Sequence, residues 1–121
     1  MFNSQSSNRK FDLEERTTNF ARKVVKLCKS LPRNPINDRI VGQVIGSSGS
    51  IGANYREAND ALGKKDFVMR IKISRRESKE ASHWIILLAE ANPDRTEEII
   101  ILEKEAVEYK NIFSAIINKS V

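Results

Sequence analysis

Glu80 and His83 are the residues of this chain whose spacing comes nearest to a metal site. A Glu-x-x-His pair on a helix supplies part of a carboxylate di-metal centre, which needs a second such pair and two further acids. His83 is the only histidine, so the chain cannot supply the second pair. We therefore expect no metal and no cofactor, and we interpret His83 as a surface or interfacial residue. A ring of His83 side chains from several subunits is the alternative.

Residues for nucleophilic catalysis are equally scarce. With one histidine and one cysteine, Cys28, neither a Cys–His nor a Ser–His–Asp arrangement has much material. The glycine-rich stretch at residues 42–52 lacks the lysine of a phosphate-binding loop. Cys28 lies among apolar residues of a predicted helix, which favours a buried, inert thiol over a reactive one. We expect a protein without enzymatic activity.

Lysine and arginine recur at helical spacing in two segments, and this pattern suits contact with phosphate groups. The candidate nucleic-acid-binding residues are Arg22, Lys26 and Lys29 in the first segment and Lys72, Arg76 and Lys79 in the second. Residues 1–35 carry a net charge of +5 and residues 63–91 carry +3, whereas residues 92–121 carry −2. Contacts of this kind are independent of sequence and sensitive to salt. No aromatic residue interleaves the lysines as a stacking platform would require.

The glycines of residues 42–52 fall on one side of a helical wheel, although their composition suggests a loop. They are Gly42, Gly46, Gly49 and Gly52. A different side carries Ile40, Val44, Ser48, Ile51, Tyr55 and Leu62. A helix with an apolar stripe and a separate glycine stripe contacts two neighbours, one of them very closely. We assign the four glycines to close helix packing or to an oligomer interface.

Hydrophobic periodicity predicts four helices that would position these residues. The first begins at a cap at Asp12, ends before Pro32, and buries Leu13, Thr17, Phe20, Val24, Leu27 and Leu31. The second is capped by Asn37 or Asp38 and runs to about Leu62. The third starts near Lys64, ends near Ala91, and buries Phe67, Ile71, Ser74, Ser78, Ala81, Ile85 and Leu88. Asn92-Pro93 caps the fourth, which buries Ile99, Leu102, Ala106, Tyr109, Phe113 and Ile116.

Four long helices joined by short turns predict an all-α, antiparallel up-and-down four-helix bundle over residues 11–121, after a flexible polar tail at residues 1–10. The sequence contains no apolar run long enough to span a membrane and no secretory signal. With a single cysteine, this fits a cytoplasmic protein. Further apolar residues lie outside the stripes: Ile45, Ile73, Ile86, Ile100, Ile101, Ile112 and Ile117. They predict self-association.

The segment 47–58, SSGSIGANYREA, resembles the central motif of the four-helix bundle proteins encoded in 23S ribosomal RNA intervening sequences. The segments 11–17 and 65–67 are also similar, as are Glu77, Glu80 and Trp84, so the resemblance covers about residues 11 to 118. Ser74-Arg75-Arg76 departs from the family's less charged turn. The resemblance implies a bacterial, cytoplasmic, non-enzymatic homopentameric ring. A related bundle is the accessory protein of diversity-generating retroelements, which binds RNA and reverse transcriptase through a basic surface.

Two functions remain open at this point. The chain is an oligomeric RNA- or DNA-binding module, or it is a scaffold for another protein whose positive charge only keeps it soluble. Salt-dependent binding of RNA separates them. The acids of the motif region are expected to pair with neighbouring arginines rather than to act as acids or bases. This polar layer comprises Asn54, Arg56, Glu57, Glu77 and Glu80.

Overall fold

The computed structural model describes residues 4–120, and it describes side chains from residue 12 onward. Over this range the chain forms four α-helices and no strand. They are α1 (Ser4–Lys29), α2 (Pro35–Asn59), α3 (Lys64–Ala91) and α4 (Thr96–Ser120), with a single 3₁₀ turn at Pro93–Arg95. The all-α prediction is confirmed. No helix in residues 4–120 combines the length and apolar character needed to cross a bilayer.

The helices form a four-helix bundle in which α3 has the most extensive packing. It packs along α2 on one side and α4 on the other, whereas α1 packs less closely on α2 and contacts α4 least. Thr17 of α1 lies against Gly52 of α2, and Glu14 meets Arg56 one turn away. Because residues that come earlier in α1 meet residues that come later in α2, these neighbours run antiparallel. α1 and α3 form a diagonal of the bundle.

The predicted stripes form the core. All six stripe residues predicted for the first helix are buried, although Leu31 lies just beyond the end of α1, and those of α3 are buried apart from half-buried Phe67. At the end of α4, Ile117 is buried and Ile116 is only half-buried, so these two predictions were interchanged. Small polar residues line the contact of α2 with α3, where the Ser74 hydroxyl donates to the Ile51 carbonyl over 3.0 Å. Ser48 is also fully buried there, as predicted.

Several predicted helix boundaries were wrong. α1 begins at Ser4, so Asp12 lies inside the helix, and the predicted tail overlaps α1 from residue 4 on. Residues 1–3 lie outside the described residues. α2 is capped by Asn34, whose side chain accepts from the Asn37 backbone N–H over 2.8 Å. The helix ends at Asn59, and Leu62 in the following turn is fully exposed.

Asn37 and Asn92 are hydrogen-bond partners, and Asn92 also occupies the cap position between α3 and the 3₁₀ turn, with Pro93 following it as predicted. Each is buried, and each side-chain amide donates to the other's oxygen, over 3.0 and 2.9 Å. Their second N–H groups donate to the Pro32 and Leu88 carbonyls, both over 2.9 Å. The prediction of a cap at Asn37 is wrong, whereas the cap position at Asn92 is confirmed, although its side chain makes no capping hydrogen bond because the amide is used across the bundle. The pair connects the first turn of α2 to the residue that follows α3.

Candidate nucleic-acid interface

The outer face of α3 carries the predicted basic residues in a single row. Lys72, Arg76 and Lys79 are exposed and follow one another at four and three residues, a rise of about 6 and 4.5 Å along the helix. Together with Arg75 and His83 they line one shallow depression, in which Glu80 is the only acid. We call this set the α3 row; its members are Lys72, Arg75, Arg76, Lys79 and His83.

The α3 row is largely free of internal ion pairs. Within residues 12–120, no carboxylate lies at salt-bridge distance from Lys72 or Lys79. Arg76 reaches Glu77 only at 4.0 Å, the limit of an ion pair. Exposed pairs at such distances contribute little. The positive charge of the row is therefore available to a ligand.

Further cations extend this surface at both ends. Lys64 and Lys65 surround Val68 and Met69 in a depression at the start of α3. At the other end, Lys110 of α4 shares a groove with His83 and Ile86. Basic and apolar side chains thus alternate along most of the helix.

The outer face of α1 carries the second predicted cluster, and the cations next to it form ion pairs with α4. Arg22, Lys26 and Lys29 are exposed, and Arg22 donates to the Asn19 amide oxygen over 2.7 Å. Neighbouring cations are committed to α4. Lys23 pairs with Glu105 at 2.7 Å, and Arg16 pairs with Glu108 at 3.2 Å. Within residues 12–120 the three cluster residues themselves form no ion pair, and the depression that they line contains no acid. Glu105 does neutralise Lys23, which lines the same depression.

The fold does not bring the two predicted clusters together. α1 and α3 are diagonal in the bundle, and both clusters lie on the side of their helix away from the core. They face opposite directions. A single phosphate strand that lies on one face of the protomer therefore contacts one cluster and not both.

The glycine stripe is divided between two environments. Gly52 is buried, and a Cβ atom there would lie 2.8 Å from Thr17 Oγ1 and 3.2 Å from Thr17 Cβ. Close packing is thus correct for Gly52. Gly42, Gly46 and Gly49 are exposed, and a Cβ atom at any of them would meet nothing within 4 Å. Close packing inside the protomer is wrong for these three, because they face outward.

The residues of the predicted polar layer do not contact one another as a single layer. Arg56 turns toward α1, where it donates to Glu14 Oε1 and to the Thr18 hydroxyl, both over 3.1 Å. Asn54 turns toward α3 and accepts from Arg70 over 3.3 Å. Within residues 12–120, Glu57 and Glu80 form no ion pair. The residues split between two helix contacts because they lie on different edges of α2 and α3.

Glu77 is the one acid of this set with a perturbed environment. Partial burial raises its pKa, the nearby Glu80 carboxylate raises it further, and Arg76 acts in the opposite direction. In α1, burial raises the pKa of the Cys28 thiol to about 11. Cys28 is therefore protonated at neutral pH, which agrees with the inert thiol expected from its sequence neighbours.

The surplus isoleucines also divide. Ile117 belongs to the core, so it was wrongly counted as surplus. Ile73, Ile100 and Ile112 are half-buried. Ile45, Ile86 and Ile101 are exposed, the last by 64%. Leu62 and Ile36 join them on the surface. The protomer therefore does expose large apolar side chains.

Arg75 and His83 are members of the interface that the sequence interpretation missed. Both lie within one helical turn of a predicted cation, Arg75 at three residues from Lys72 and His83 at four from Lys79. This spacing was the available signal. The His83 ring lies against the half-buried Trp84 ring, with centroids 5.1 Å apart and planes at 75°. The statement that no aromatic ring adjoins the lysines therefore holds only for the interior of the row, because the His83 ring lies at its end.

Comparisons with known proteins agree with this architecture. The family model described as 23S rRNA-intervening sequence protein matches residues 9–115. A similar solved structure is the crystal structure of a protein of unknown function from the S23 ribosomal protein family of Bacteroides thetaiotaomicron VPI-5482. It is 28% identical with a TM-score of 0.74, and the match covers 86% of this chain and 96% of that one. No curated protein matches the chain.

Proposed function

The chain belongs to the 23S rRNA-intervening sequence protein family, and from this premise we propose that it is a non-enzymatic, oligomeric RNA-binding protein of the bacterial cytoplasm. The α3 row is the observation that carries the proposal. It offers exposed lysine and arginine side chains in one depression, with few internal carboxylates to compete for them. Cations in this state bind phosphate oxygens and release counterions from the nucleic acid.

The α3 row is the stronger of the two predicted clusters. On α1, the carboxylates of Glu105 and Glu108 lie beside Lys23 and Arg16 and lower the local positive potential. The depression lined by the α1 cluster contains no acid among the described residues, but further cations continue the α3 row at both ends, Lys64 and Lys65 at one and Lys110 at the other. The α1 cluster then adds a weaker contact on the opposite side of the protomer.

Self-association is the second part of the proposal. The three outward glycines leave a smooth strip on α2 that a neighbouring subunit can approach closely, with exposed Ile45 beside it. Exposed apolar side chains elsewhere favour the same conclusion. The family resemblance implies five subunits in a ring. In such an assembly the weak phosphate contacts of each protomer add through multivalency.

Charge reversal tests the RNA-binding proposal. Lys72→Glu/Arg76→Glu is compared with Lys26→Glu/Lys29→Glu, since each changes the net charge by the same amount on an exposed helix face. Binding to total bacterial RNA is measured by electrophoretic shift at low and at physiological salt. The α3 variant should bind at least about tenfold more weakly than the α1 variant, and its log–log salt dependence should be shallower by about 2.

Equal losses in the two variants would contradict the primacy of the α3 row. If the unmodified protein binds no RNA even at low salt, RNA binding is wrong. A scaffold for another protein then becomes the better interpretation, with exposed Ile36 and Ile101 as its contact residues.

Light scattering tests the assembly. A pentamer has five times the 13.8 kDa mass of the chain. Gly49→Leu places a large side chain on the outward strip, where the protomer itself offers open space, so the fold should survive and the mass should fall. An unchanged mass in this variant would remove the strip from the subunit contact, and a monomeric unmodified protein would end the assembly proposal.

A further inference from the structure

The outer face of α3 has features that a double helix would leave unused. Its cations stand in one file between exposed apolar residues: Met69 lies at one end, and Ile86 and Leu87 lie at the other. Lys72, Arg76 and Lys79 advance along the helix by steps comparable to the distance between successive phosphates of one strand. One file of cations follows one backbone.

The packing of α3 prevents it from entering a major groove. A recognition helix must project from its domain to fit the major groove of B-form DNA, and the major groove of A-form RNA is deeper and narrower still. α3 is flanked along its length by α2 and α4, so only its outer strip is free. A duplex can therefore meet the α3 row through its phosphates or, in RNA, across the shallow minor groove, and neither contact offers an unpaired base to stack on a side chain.

His83 supplies a ring at the end of the row. It is exposed, and it rests nearly perpendicular against Trp84, which packs on the core. Trp84 thus limits the orientations of the His83 ring before any ligand arrives. Histidine is among the side chains on which unpaired bases stack. Lys79 of α3 and Lys110 of α4 line the same groove as His83 and would hold the adjoining phosphate.

From these observations we propose that the α3 row binds a single-stranded segment of nucleic acid, with its phosphates on Lys72, Arg76 and Lys79 and one base stacked on His83. The inference rests on the RNA-binding function proposed above and specifies the form of RNA that is bound. Exposed Ile86 lies in the same groove and would cover the apolar face of the next base. Bases are accessible for such contacts only when they are unpaired.

The test compares one RNA 12-mer free and annealed to its complement, by fluorescence anisotropy at pH 8, with the full-length protein. The single strand should bind more tightly. His83→Ala should weaken single-strand binding about five- to 150-fold, which is the range for loss of one stacked base, and should weaken duplex binding by less than about twofold. His83→Phe should restore most of the lost affinity because it retains a ring. Lys79→Gln should weaken both forms.

The outcomes separate this inference from the function on which it rests. Equal or tighter binding of the duplex, or an unaltered single-strand affinity in His83→Ala, overturns the single-strand inference while RNA binding stands. Failure of both RNA forms to bind at low salt overturns both. A loss in His83→Ala that Phe does not restore also overturns the stacking role, since the ring would then not be the group that matters.

Discussion

The two diagonal helices, α1 and α3, are held in the bundle by different kinds of contact. Each buries an apolar stripe and carries basic residues outside. α1 packs less extensively and is tied to its neighbours by particular contacts: Thr17 against Gly52, and ion pairs of Arg16 and Lys23 with α4. α3 is held by close packing on both sides, so its outer cations are not needed for attachment. Because the outer cations of α3 do not hold the helix in the bundle, they are available to bind a ligand.

The contact at Gly52 is where this comparison predicts the largest change. Gly52→Ala puts a Cβ atom 2.8 Å from Thr17 Oγ1, and such overpacking should destabilise the protein by about 1–3 kcal/mol. Gly49→Ala is the matched control on the outward side of the same helix, where the protomer offers open space, so alanine should stabilise the dissociated protomer by about 0.5–1 kcal/mol. Urea unfolding at one fixed protein concentration measures both. Thr17→Ala in the Gly52→Ala background should recover part of the loss, and equal stability of the two single variants would contradict a close contact between α1 and α2.

Cys28 reports whether the inner side of α1 stays closed. A pKa of about 11, against 9.0 for the free group, leaves about a hundredfold less thiolate at pH 8. Alkylation by iodoacetamide, followed by intact mass, should therefore be at least about a hundredfold slower in the folded protein than in urea. Comparable rates would mean that α1 opens readily, and the distinction between a loosely and a closely packed helix would then extend to its dynamics.

Substitution of Glu77 in α3 should give the smallest change in stability. Its pKa is raised in the folded state, so the folded protein holds this proton more tightly than the unfolded chain. The stability that comes from this difference is present at low pH and is lost as pH rises above the pKa of the unfolded chain. Glu77→Gln should stabilise the protein at pH 7 by less than about 1 kcal/mol, and by less at pH 4. A variant that is destabilised at pH 7 would show that the carboxylate is needed for the packing of α3.

Hydrophobic spacing predicted the core because burial acts on every turn of a helix. It could not predict the environment of the glycines. Gly49 and Gly52 share one stripe, but which edge of α2 faces α1 and which faces outward is decided by the arrangement of all four helices. The cap of α2 could have been predicted from the sequence, because Pro35 at the first helical position indicates a cap at Asn34 rather than at Asn37 or Asp38.

The candidate site was predicted in its parts and not in its arrangement. The cations of α3 are visible as a helical row in the sequence, and Arg75 and His83 belong to the same row by spacing. Their freedom from ion pairs was not predictable, because Lys23 and Glu105 are 82 residues apart and meet only through the fold. The same holds for the opposite directions of the two clusters.

The reciprocal amide pair of Asn37 and Asn92 bears on how this chain avoids wrong alignments. Ser74 of α3 meets the Ile51 backbone of α2, and a small side chain at such a contact resists a one-turn slide of one helix along the other less than a large side chain would. Such a slip would separate the two amides and leave each buried without its partner, at a cost of about 1–3 kcal/mol for each group. The pair thus widens the energy gap between the native alignment and its nearest competitors. The pair fixes the alignment of α2 and α3 at the end of the bundle where the α1–α2 and α3–α4 connections meet.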